Sequence, residues 1–184
     1  SLILYAGSFG KINGVTYLVE IAKAMSKINS DLFFLLVGNG LDKERIINKS
    51  KKYGIHNNTL YCMDSLSKDQ MPELLSRATI TTSLFIDLPE MENNSANKFF
   101  DGLAAGKPIM INYGGWQSDL LKDTGCGFVI PSNNATNAAA IINKVITDKK
   151  GLSQMSKASL RVAKQFDVET NYGKFEKVID NLFS

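Results

Sequence analysis

The sequence predicts an α/β fold: a single Rossmann-like, doubly wound domain with a mostly parallel sheet of about six strands and helices on both faces. Short β-rich runs alternate with longer segments of helical spacing, glycines follow several of the runs, and the run at residues 32–37 is continuously apolar. Strands of a parallel sheet that is covered on both faces have this composition. The chain has 184 residues, 44% of them hydrophobic and 21% charged, which suffices for one core.

The alternation of strands and helices continues along the whole chain. Strands are predicted at residues 2–5, 32–37, 59–63, 79–85, 109–112 and 127–130. Helices are predicted at residues 15–28, 42–53, 67–78, 95–105, 136–147, 153–166 and 168–183. Ser67 and Gln70 have the capping-box spacing that starts a helix, and Gly106 with Pro108 ends one. Because ligands of such sheets bind beyond the carboxyl ends of the strands, we expect the functional residues in the loops that follow them.

Composition and charge exclude several function classes. The formal net charge is +3, and basic and acidic residues alternate at positions 42–45, so no nucleic-acid partner is predicted. Cys62 and Cys126 lie far apart without a His or Cys cluster, which indicates free thiols rather than a zinc site or a disulfide framework. No apolar run approaches the ~20 residues of a membrane-spanning helix, and no signal-peptide pattern is present. Because the chain starts without Met, one residue before a predicted strand, we expect a domain excised from a larger cytoplasmic protein.

Two glycine-rich segments follow predicted strands. Residues 7–14 contain Gly7, Gly10 and Gly14, and residues 38–40 form a Gly-Asn-Gly motif. Glycines in such loops let backbone N–H groups approach an anion, and the dipole of the next helix adds attraction. A flexible connection without a ligand is the alternative interpretation of the first segment.

Three common site motifs are not matched. No Gly-Lys pair is followed by Ser or Thr, as a Walker A loop requires. A dinucleotide fingerprint starting at Gly38 has Lys43 where its third glycine belongs, which disfavours a nicotinamide enzyme. Residues 6–10 resemble a nucleophile elbow of serine hydrolases, but the single histidine, His56, lies in a polar stretch that predicts an exposed loop.

The densest cluster of polar residues surrounds the start of the fourth predicted helix. Asn97 and Lys98 in its first turn suit a phosphate or sugar hydroxyls, because a helix N-terminus offers free N–H groups. Asn97 and Asp101 are four residues apart and therefore share one face of the helix. Simple capping by Asn94 or Ser95, with a solvated Asp101, is the alternative.

These segments together resemble a known family. Residues 97–108, followed by a strand and a Gly-Gly pair at 114–115, are similar to the donor-domain signature of glycosyltransferase family 4. The similarity is greatest to the bacterial subgroup that makes capsule, O-antigen and other surface polysaccharides. Residues 5–14 and 35–40 are also similar to the family in order and spacing, so the resemblance covers essentially the whole chain.

The resemblance implies that residues 1–184 are the C-terminal, donor-binding domain of a two-domain GT-B enzyme whose N-terminal acceptor domain is absent from this chain. Such an enzyme moves a sugar from a nucleotide sugar, usually a UDP-sugar, to a polysaccharide or lipid-linked acceptor. It retains the anomeric configuration and requires no metal or other cofactor. The implied partners are the nucleotide sugar, the N-terminal domain and, through that domain, the inner face of the bacterial plasma membrane. The isolated domain is expected to be inactive.

The resemblance also implies roles for acidic and amide residues. In the family, a Glu-x7-Glu pair contacts the donor: the second glutamate binds the ribose and the first lies near the sugar. The second position falls on Asp101, which is implied to hold the ribose hydroxyls. The first falls on Asn93, and the candidates for its role are Glu90, Glu92, Asn93 and Asn94. Of these, Glu92 and Asn93 are predicted to be catalytic.

A basic pair on the first loop of the family falls here on Ser8 and Asn13, which carry no charge. The diphosphate is therefore expected to be bound by the N–H of Gly10, the start of a helix, and Lys11 or Lys98. No metal ligand is predicted. The predicted donor-binding residues are Gly7, Gly10, Lys11, Gly38, Leu66, Asn97, Lys98 and Asp101.

Two other classes are compatible with this fold type. A non-catalytic, Rossmann-like nucleotide-binding module has the same architecture, but it does not need a polar cluster at residues 90–101 beyond a strand end. A nucleotide-sugar epimerase needs a Gly-x-x-Gly-x-x-Gly start and a Tyr-x-x-x-Lys pair, and the sequence contains neither.

Overall fold

The sheet of this protein is built from six parallel strands. The computed structural model describes residues 1–183, apart from the side chains of Thr170, Lys174 and Phe183. The strands are β1 (Leu2–Ala6), β2 (Phe33–Val37), β3 (Leu60–Met63), β4 (Ile80–Ser83), β5 (Ile109–Ile111) and β6 (Gly127–Val129). They follow the order β3-β2-β1-β4-β5-β6, and every adjacent pair is parallel. The predicted doubly wound α/β fold is confirmed.

Helices connect the strands. The α-helices of the described residues are α1 (Thr16–Met25), α2 (Lys43–Lys52), α3 (Met71–Arg77), α4 (Asn97–Ala104), α5 (Trp116–Thr124), α6 (Ala135–Thr147), α7 (Lys149–Ala163) and α8 (Val168–Phe183). Short 3-10 helices are formed by Lys11–Asn13, Pro89–Asn93 and Lys164–Phe166. Within residues 1–183, no helix combines the length and the apolar character needed to cross a bilayer.

Both faces of the sheet are covered, because alternate residues of β1 enter different apolar clusters. Ile3 and Tyr5 pack in a cluster to which α1 and α6 contribute. Leu4, which points to the opposite face, packs with Leu75 of α3. Both clusters therefore lie on β1, at the centre of the sheet.

Helix α4 lies unusually close to β4. Gly102 of α4 is buried, and a Cβ atom there would lie 2.3 Å from Thr81 Oγ1 of β4. Since a helix that follows a parallel strand runs back along the sheet, its first turn is at the carboxyl end of that strand. The polar start of α4 is thereby placed at the ligand-binding edge.

Helix α5 is not among the predicted helices. Its buried positions are Gln117, Ser118 and Leu121, of which two are polar, so the apolar periodicity of a helix is missing. The buried Gln117 accepts a hydrogen bond at Oε1 from the Tyr113 hydroxyl, at 2.6 Å. Gln117 therefore makes a polar contact at a buried position where an apolar residue would have shown the helical periodicity.

Two helix starts were predicted too early. Ser67 does hydrogen-bond Gln70 Oε1, at 3.1 Å from its hydroxyl, but α3 begins only at Met71. Helix α4 begins at Asn97 after Ala96, and no side chain caps it. The proposed caps of α4 are wrong because Asn94 and Ala96 are extended and the Asn94 side chain contacts Met91 O and the Ala96 N–H instead.

The expectation of an exposed histidine is also wrong. His56 is half-buried, and its Nδ1 lies 3.0 Å from the hydroxyl oxygen of Ser50, a fully buried residue of α2. This local contact closes the turn between α2 and β3. His56 therefore has a structural partner.

Candidate functional site

A crevice lies at the carboxyl ends of β1 and β4, where the strand order reverses. The chain leaves β1 toward β2 on one side, whereas β4 lies on the other side of β1. The loops after β1, β2 and β3 and the first turn of α4 meet at this edge. Doubly wound sheets bind their ligands at such a point.

The loops after β1 and β2 are packed backbone against backbone. The Gly7 N–H donates to Val37 O at 2.9 Å, and the Phe9 N–H donates to Asn39 O at 2.9 Å. A Cβ atom on Gly38 would lie 1.9 Å from Gly7 O, so this approach requires glycine. The first loop is therefore a packed segment of the fold.

A pocket of about 340 Å³ lies over these two loops. The predicted residues Gly7, Gly38 and Leu66 line it, together with Asn39 and Ser65. Leu66 and Ser65 come from the loop after β3. The structure thus brings three predicted donor-binding residues from three successive strand ends to one pocket.

A 3-10 turn, Lys11–Asn13, separates β1 from α1 and begins after Gly10. Lys11 is exposed. Gly14 has φ of +57°, and a Cβ atom there would lie 2.9 Å from the backbone of Phe85. The turn is therefore fixed against the loop after β4, and its last residue reaches the first turn of α4.

Lys98 is the second residue of α4, in the first turn as predicted. Its Nζ donates to Asn13 Oδ1 at 3.0 Å and lies 4.9 Å from the ring centroid of Phe85 and 5.7 Å from that of Tyr5. In the described part of the chain, no carboxylate forms a salt bridge with Lys98. Burial lowers the pKa of its ammonium group, because desolvation disfavours the charged form. Lys98 is a half-buried cation whose contacts are a neutral amide and two aromatic rings.

Asn97 and Asp101 lie one turn apart on α4 and line a common pocket of about 640 Å³ between α4 and α3. Asp101 also borders a small cavity of about 20 Å³ with Lys98 and Thr82. Desolvation raises the pKa of the Asp101 carboxyl group. The structure therefore places Asn97, Lys98 and Asp101 together, as predicted from their spacing.

Glu92 and Asn93 lie apart from this group. Both are exposed and belong to the 3-10 helix Pro89–Asn93, which precedes α4. Neither residue lines the three cavities described above. Their predicted catalytic role stays a prediction.

The segment at residues 89–94 rests on the Gly-Gly turn before α5. A Cβ atom on Gly115 would lie 2.1 Å from Glu92 O, and one on Gly114 would lie 2.9 Å from Glu92 Oε1. Trp116 donates from Nε1 to Asn94 O at 2.9 Å. The Gly-Gly pair thus supports the segment at residues 89–94.

A side chain prolongs the sheet at the carboxyl end of β4. Asn112, which follows β5, is buried. Its Oδ1 accepts from the Phe85 N–H at 3.0 Å, and its Nδ2 donates to Phe85 O at 2.8 Å. The amide of Asn112 thereby satisfies both backbone groups of Phe85.

Sequence reasoning missed several side chains of the crevice. Asn13 was noted as uncharged, but its contact with Lys98 spans 85 positions and no local pattern reveals it. Asn39 and Ser65 were not selected, although both follow strand ends, and that position is the signal that points to them. In the described residues, no three His, Cys, Asp or Glu side chains are placed to hold a metal ion. Cys62 and Cys126 are free thiols, as predicted.

The fold is a Rossmann-like domain of the doubly wound class. Residues 1–162 match the family described as Glycosyl transferases group 1, and the chain belongs to this family.

The chain also has a curated sequence relative. Spore coat protein SA of Bacillus subtilis is 20% identical over 191 residues, a match that covers 100% of this chain and 48% of that protein. The chain therefore spans about half the length of this curated relative.

Solved structures share the fold. The chain matches Anabaena HepE, solved in complex with UDP, with a TM-score of 0.84 and 16% identity over 98% of this chain and 48% of HepE. It matches the pneumococcal O-GlcNAc transferase GtfA, solved with UDP and GlcNAc, with a TM-score of 0.83 and 14% identity over 99% and 36% of the two chains. It matches the C-terminal domain of the group 1 glycosyl transferase LpcC of Francisella tularensis with a TM-score of 0.77 and 14% identity over 91% and 86%. The fold is that of the C-terminal domain of a GT-B glycosyltransferase.

Proposed function

We propose that this chain is the donor-binding domain of a retaining glycosyltransferase of family 4. In this proposal the enzyme moves a sugar from a UDP-sugar to a polysaccharide or lipid-linked acceptor. The observation that carries the proposal is the half-buried ammonium group of Lys98 at the carboxyl edge of the sheet. Among the described residues, no carboxylate forms a salt bridge with it. HepE and GtfA were solved with UDP, which supports a uridine nucleotide as the ligand.

A diphosphate compensates two unfavourable features of Lys98. Its ammonium group is desolvated without an anion, and it lies in the first turn of α4, where the helix dipole disfavours a cation. A phosphate within reach of Nζ and of the first-turn N–H groups offsets both. Asn13 holds the ammonium group in place, and the N–H of Gly10 with the exposed Lys11 provides further contacts. Asn13, which occupies the position of a basic residue of the family, thus acts on the diphosphate indirectly, by holding Lys98.

The nucleoside is assigned to two pockets, one between α3 and α4 and one over the loops after β1 and β2. The Asp101 carboxylate can accept hydrogen bonds from two vicinal ribose hydroxyls, with Asn97 beside it in the same pocket. The base is assigned to the pocket of about 340 Å³ that Gly7, Gly38 and Leu66 line. Five predicted donor-binding residues line these two pockets.

The transfer breaks the bond between the anomeric carbon and the diphosphate oxygen and forms a bond between that carbon and an acceptor oxygen. UDP leaves with the bonding electrons, and its departing phosphate oxygen takes up the proton that the acceptor hydroxyl loses. Lys98 and the start of α4 stabilise the negative charge that grows on the diphosphate, which is the main chemical task of such a site. We therefore propose that no metal or other cofactor is required. Glu92 and Asn93 are proposed to face the sugar.

The remaining parts of the proposal concern the whole enzyme. This chain covers 48% of the HepE chain, and an N-terminal domain of the same enzyme is proposed to supply the acceptor site. The enzyme is expected in the cytoplasm, at the inner face of the bacterial plasma membrane, where capsule and O-antigen precursors are assembled. The isolated domain is expected to bind the donor without transferring sugar.

The test is a calorimetric titration of UDP into this chain and into Lys98→Met. Methionine keeps much of the length of lysine and removes the charge. We expect the affinity to fall about tenfold or more, as for a hydrogen bond to a charged group, and its salt dependence to weaken. Lys23→Met is the matched control. Lys23 lies on α1, and its Nζ also donates to one neutral oxygen, the carbonyl oxygen of Tyr53, at 2.9 Å. The control variant is expected to bind UDP normally.

Several outcomes contradict the proposal. Absence of binding up to millimolar UDP removes the donor site altogether. An equal loss of affinity in both lysine variants shows that the effect of Lys98 is not local. Loss of binding on addition of EDTA contradicts the metal-independent site. A full-length enzyme that binds UDP but transfers no sugar favours the non-catalytic module.

A further inference from the structure

A lysine ties the Gly-Asn-Gly loop after β2 to the loop after β3. Lys43, the first residue of α2, donates from Nζ to Asn39 Oδ1 at 2.7 Å and to Asp64 Oδ1 at 2.5 Å. Its side chain is 25% exposed, against 79% for Asp64. Asn39 lines the pocket of about 340 Å³, as does Ser65, the neighbour of Asp64. The lysine therefore connects two loops at the rim of the pocket assigned to the base.

Lys43 determines which way the amide of Asn39 points. A cation attracts the carbonyl oxygen and repels the amino group, so Oδ1 must face Nζ. The amino nitrogen then points to Ser65 Oγ, at 3.4 Å. Because the Ser65 hydroxyl oxygen is the acceptor in that contact, its own proton remains available for donation. The two side chains thus present hydrogen-bond donors to the pocket.

We propose that Asn39 and Ser65 recognise the nucleobase of the donor, and that Lys43 biases this recognition toward uracil. The proposal rests on the donor-site assignment above and deepens it. Uracil carries a carbonyl acceptor at the position where cytosine carries an amino donor. A rim with two donors pairs with the uracil carbonyl. The amino group of cytosine cannot donate to the Asn39 amino group, and only the second lone pair of Ser65 Oγ remains to accept from it. Gly7 and Gly38 on the floor of the pocket have no side chains that discriminate.

A second salt bridge on the same helix provides a matched control. Lys49, six residues further along α2, pairs with Glu20, and the two side chains are 27% and 36% exposed. Neither residue lines the pocket of about 340 Å³. Lys49→Met therefore removes a similar ion pair without altering the orientation of Asn39.

The experiment measures the ratio of UDP to CDP affinity by calorimetry in this chain and its variants. The unaltered chain is expected to prefer UDP about tenfold, the effect of one unpaired donor. In Asn39→Asp an acceptor replaces the amino donor, and the ratio is expected to fall to about one or to reverse. Repulsion between the new carboxylate and the diphosphate is the same for both nucleotides and cancels in the ratio.

Two further variants test the mechanism. Lys43→Met frees the amide of Asn39 to rotate, and Ser65→Ala removes the second donor. Each is expected to lower the ratio about threefold, since each leaves part of the donor pair in place. Lys49→Met is expected to leave the ratio unchanged. Circular dichroism of each variant establishes that it is folded before titration.

The outcomes separate this proposal from the donor-site assignment. If the unaltered chain binds UDP and CDP equally, or if Asn39→Asp keeps the preference for UDP, the base is recognised elsewhere and only this proposal is overturned. If Lys49→Met lowers the ratio as much as Lys43→Met, the orienting role of Lys43 is overturned. If the unaltered chain binds neither nucleotide, the donor site itself fails.

Discussion

Two glycines of this domain meet a backbone oxygen at almost the same distance, but they support different kinds of structure. A Cβ atom on Gly38 would lie 1.9 Å from Gly7 O, and one on Gly115 would lie 2.1 Å from Glu92 O. Gly38 is buried between two loops that are also hydrogen-bonded to each other. Gly115 supports residues 89–94, all of which are exposed or half-buried.

This difference in packing indicates how each half of the crevice, the loops around Gly38 and the segment at residues 89–94, can respond to a substitution. Packed backbone cannot shift without disturbing many neighbours, whereas an exposed segment can move away from a clash. The half assigned to the nucleotide is therefore preformed. The half assigned to the sugar is held mainly by the Gly-Gly turn and by the hydrogen bond from Trp116.

The largest expected effect is that of Gly38→Ala. The new methyl group meets the Gly7 carbonyl, and neither loop can yield, so the free energy of unfolding is expected to fall by about 3 kcal/mol. Urea denaturation measures it. Gly173→Ala is the control, because among the described residues no atom beyond its neighbours and the backbone of α8 lies within 4 Å of a Cβ at this position, and alanine favours a helix. A loss below about 1 kcal/mol in Gly38→Ala contradicts the preformed half.

A smaller effect, on binding rather than stability, is expected for Asp101→Asn. The amide accepts at one atom only, so UDP affinity is expected to fall by about 2 kcal/mol, as measured by calorimetry. Stability is expected to stay level or rise slightly at neutral pH, because a desolvated charge is removed. The raised pKa means that folded Asp101 binds its proton more tightly than unfolded Asp101 does. Lowering the pH through that pKa should therefore favour the original chain over the variant. Unchanged UDP affinity moves the ribose site elsewhere.

The smallest expected effect is that of Gly115→Ala. Its φ of +78° costs alanine about 1 kcal/mol, and the clash with Glu92 is relieved by movement of the exposed segment. A glutamate-specific protease is therefore expected to cleave at Glu90 and Glu92 faster than in the original chain, while UDP affinity stays level. Gly38→Ala should not accelerate cleavage there under conditions in which it is folded. Equal cleavage rates in Gly115→Ala and the original chain contradict the proposed support.

Much of the fold can be predicted because the sequence pattern identifies the strands. The apolar run at residues 32–37 requires cover on both faces, and glycines after the strands mark the turns. Helix α5 escapes prediction because Gln117 and Ser118 occupy two of its buried positions. Gln117 is buried beside the Tyr113 hydroxyl, and this polar contact leaves no apolar periodicity in the sequence.

The site can be predicted only as far as single elements determine it. The spacing of Asn97 and Asp101 places them on one face of a helix, and the structure agrees. The direction of Lys98 depends on Asn13, which is remote in the chain. The 3-10 helix that carries Glu92 to the Gly-Gly turn was not predicted, and the catalytic role of Glu92 stays a prediction.

At the end of β4 the amide of Asn112 takes the place of a peptide group. It offers Phe85 one donor and one acceptor, as the next residue of a neighbouring strand would. The side-chain amide thus adds one more pair of hydrogen bonds to the sheet, although neither strand is longer. A single side chain outside the predicted site accordingly holds Phe85 at the point where the chain leaves the sheet.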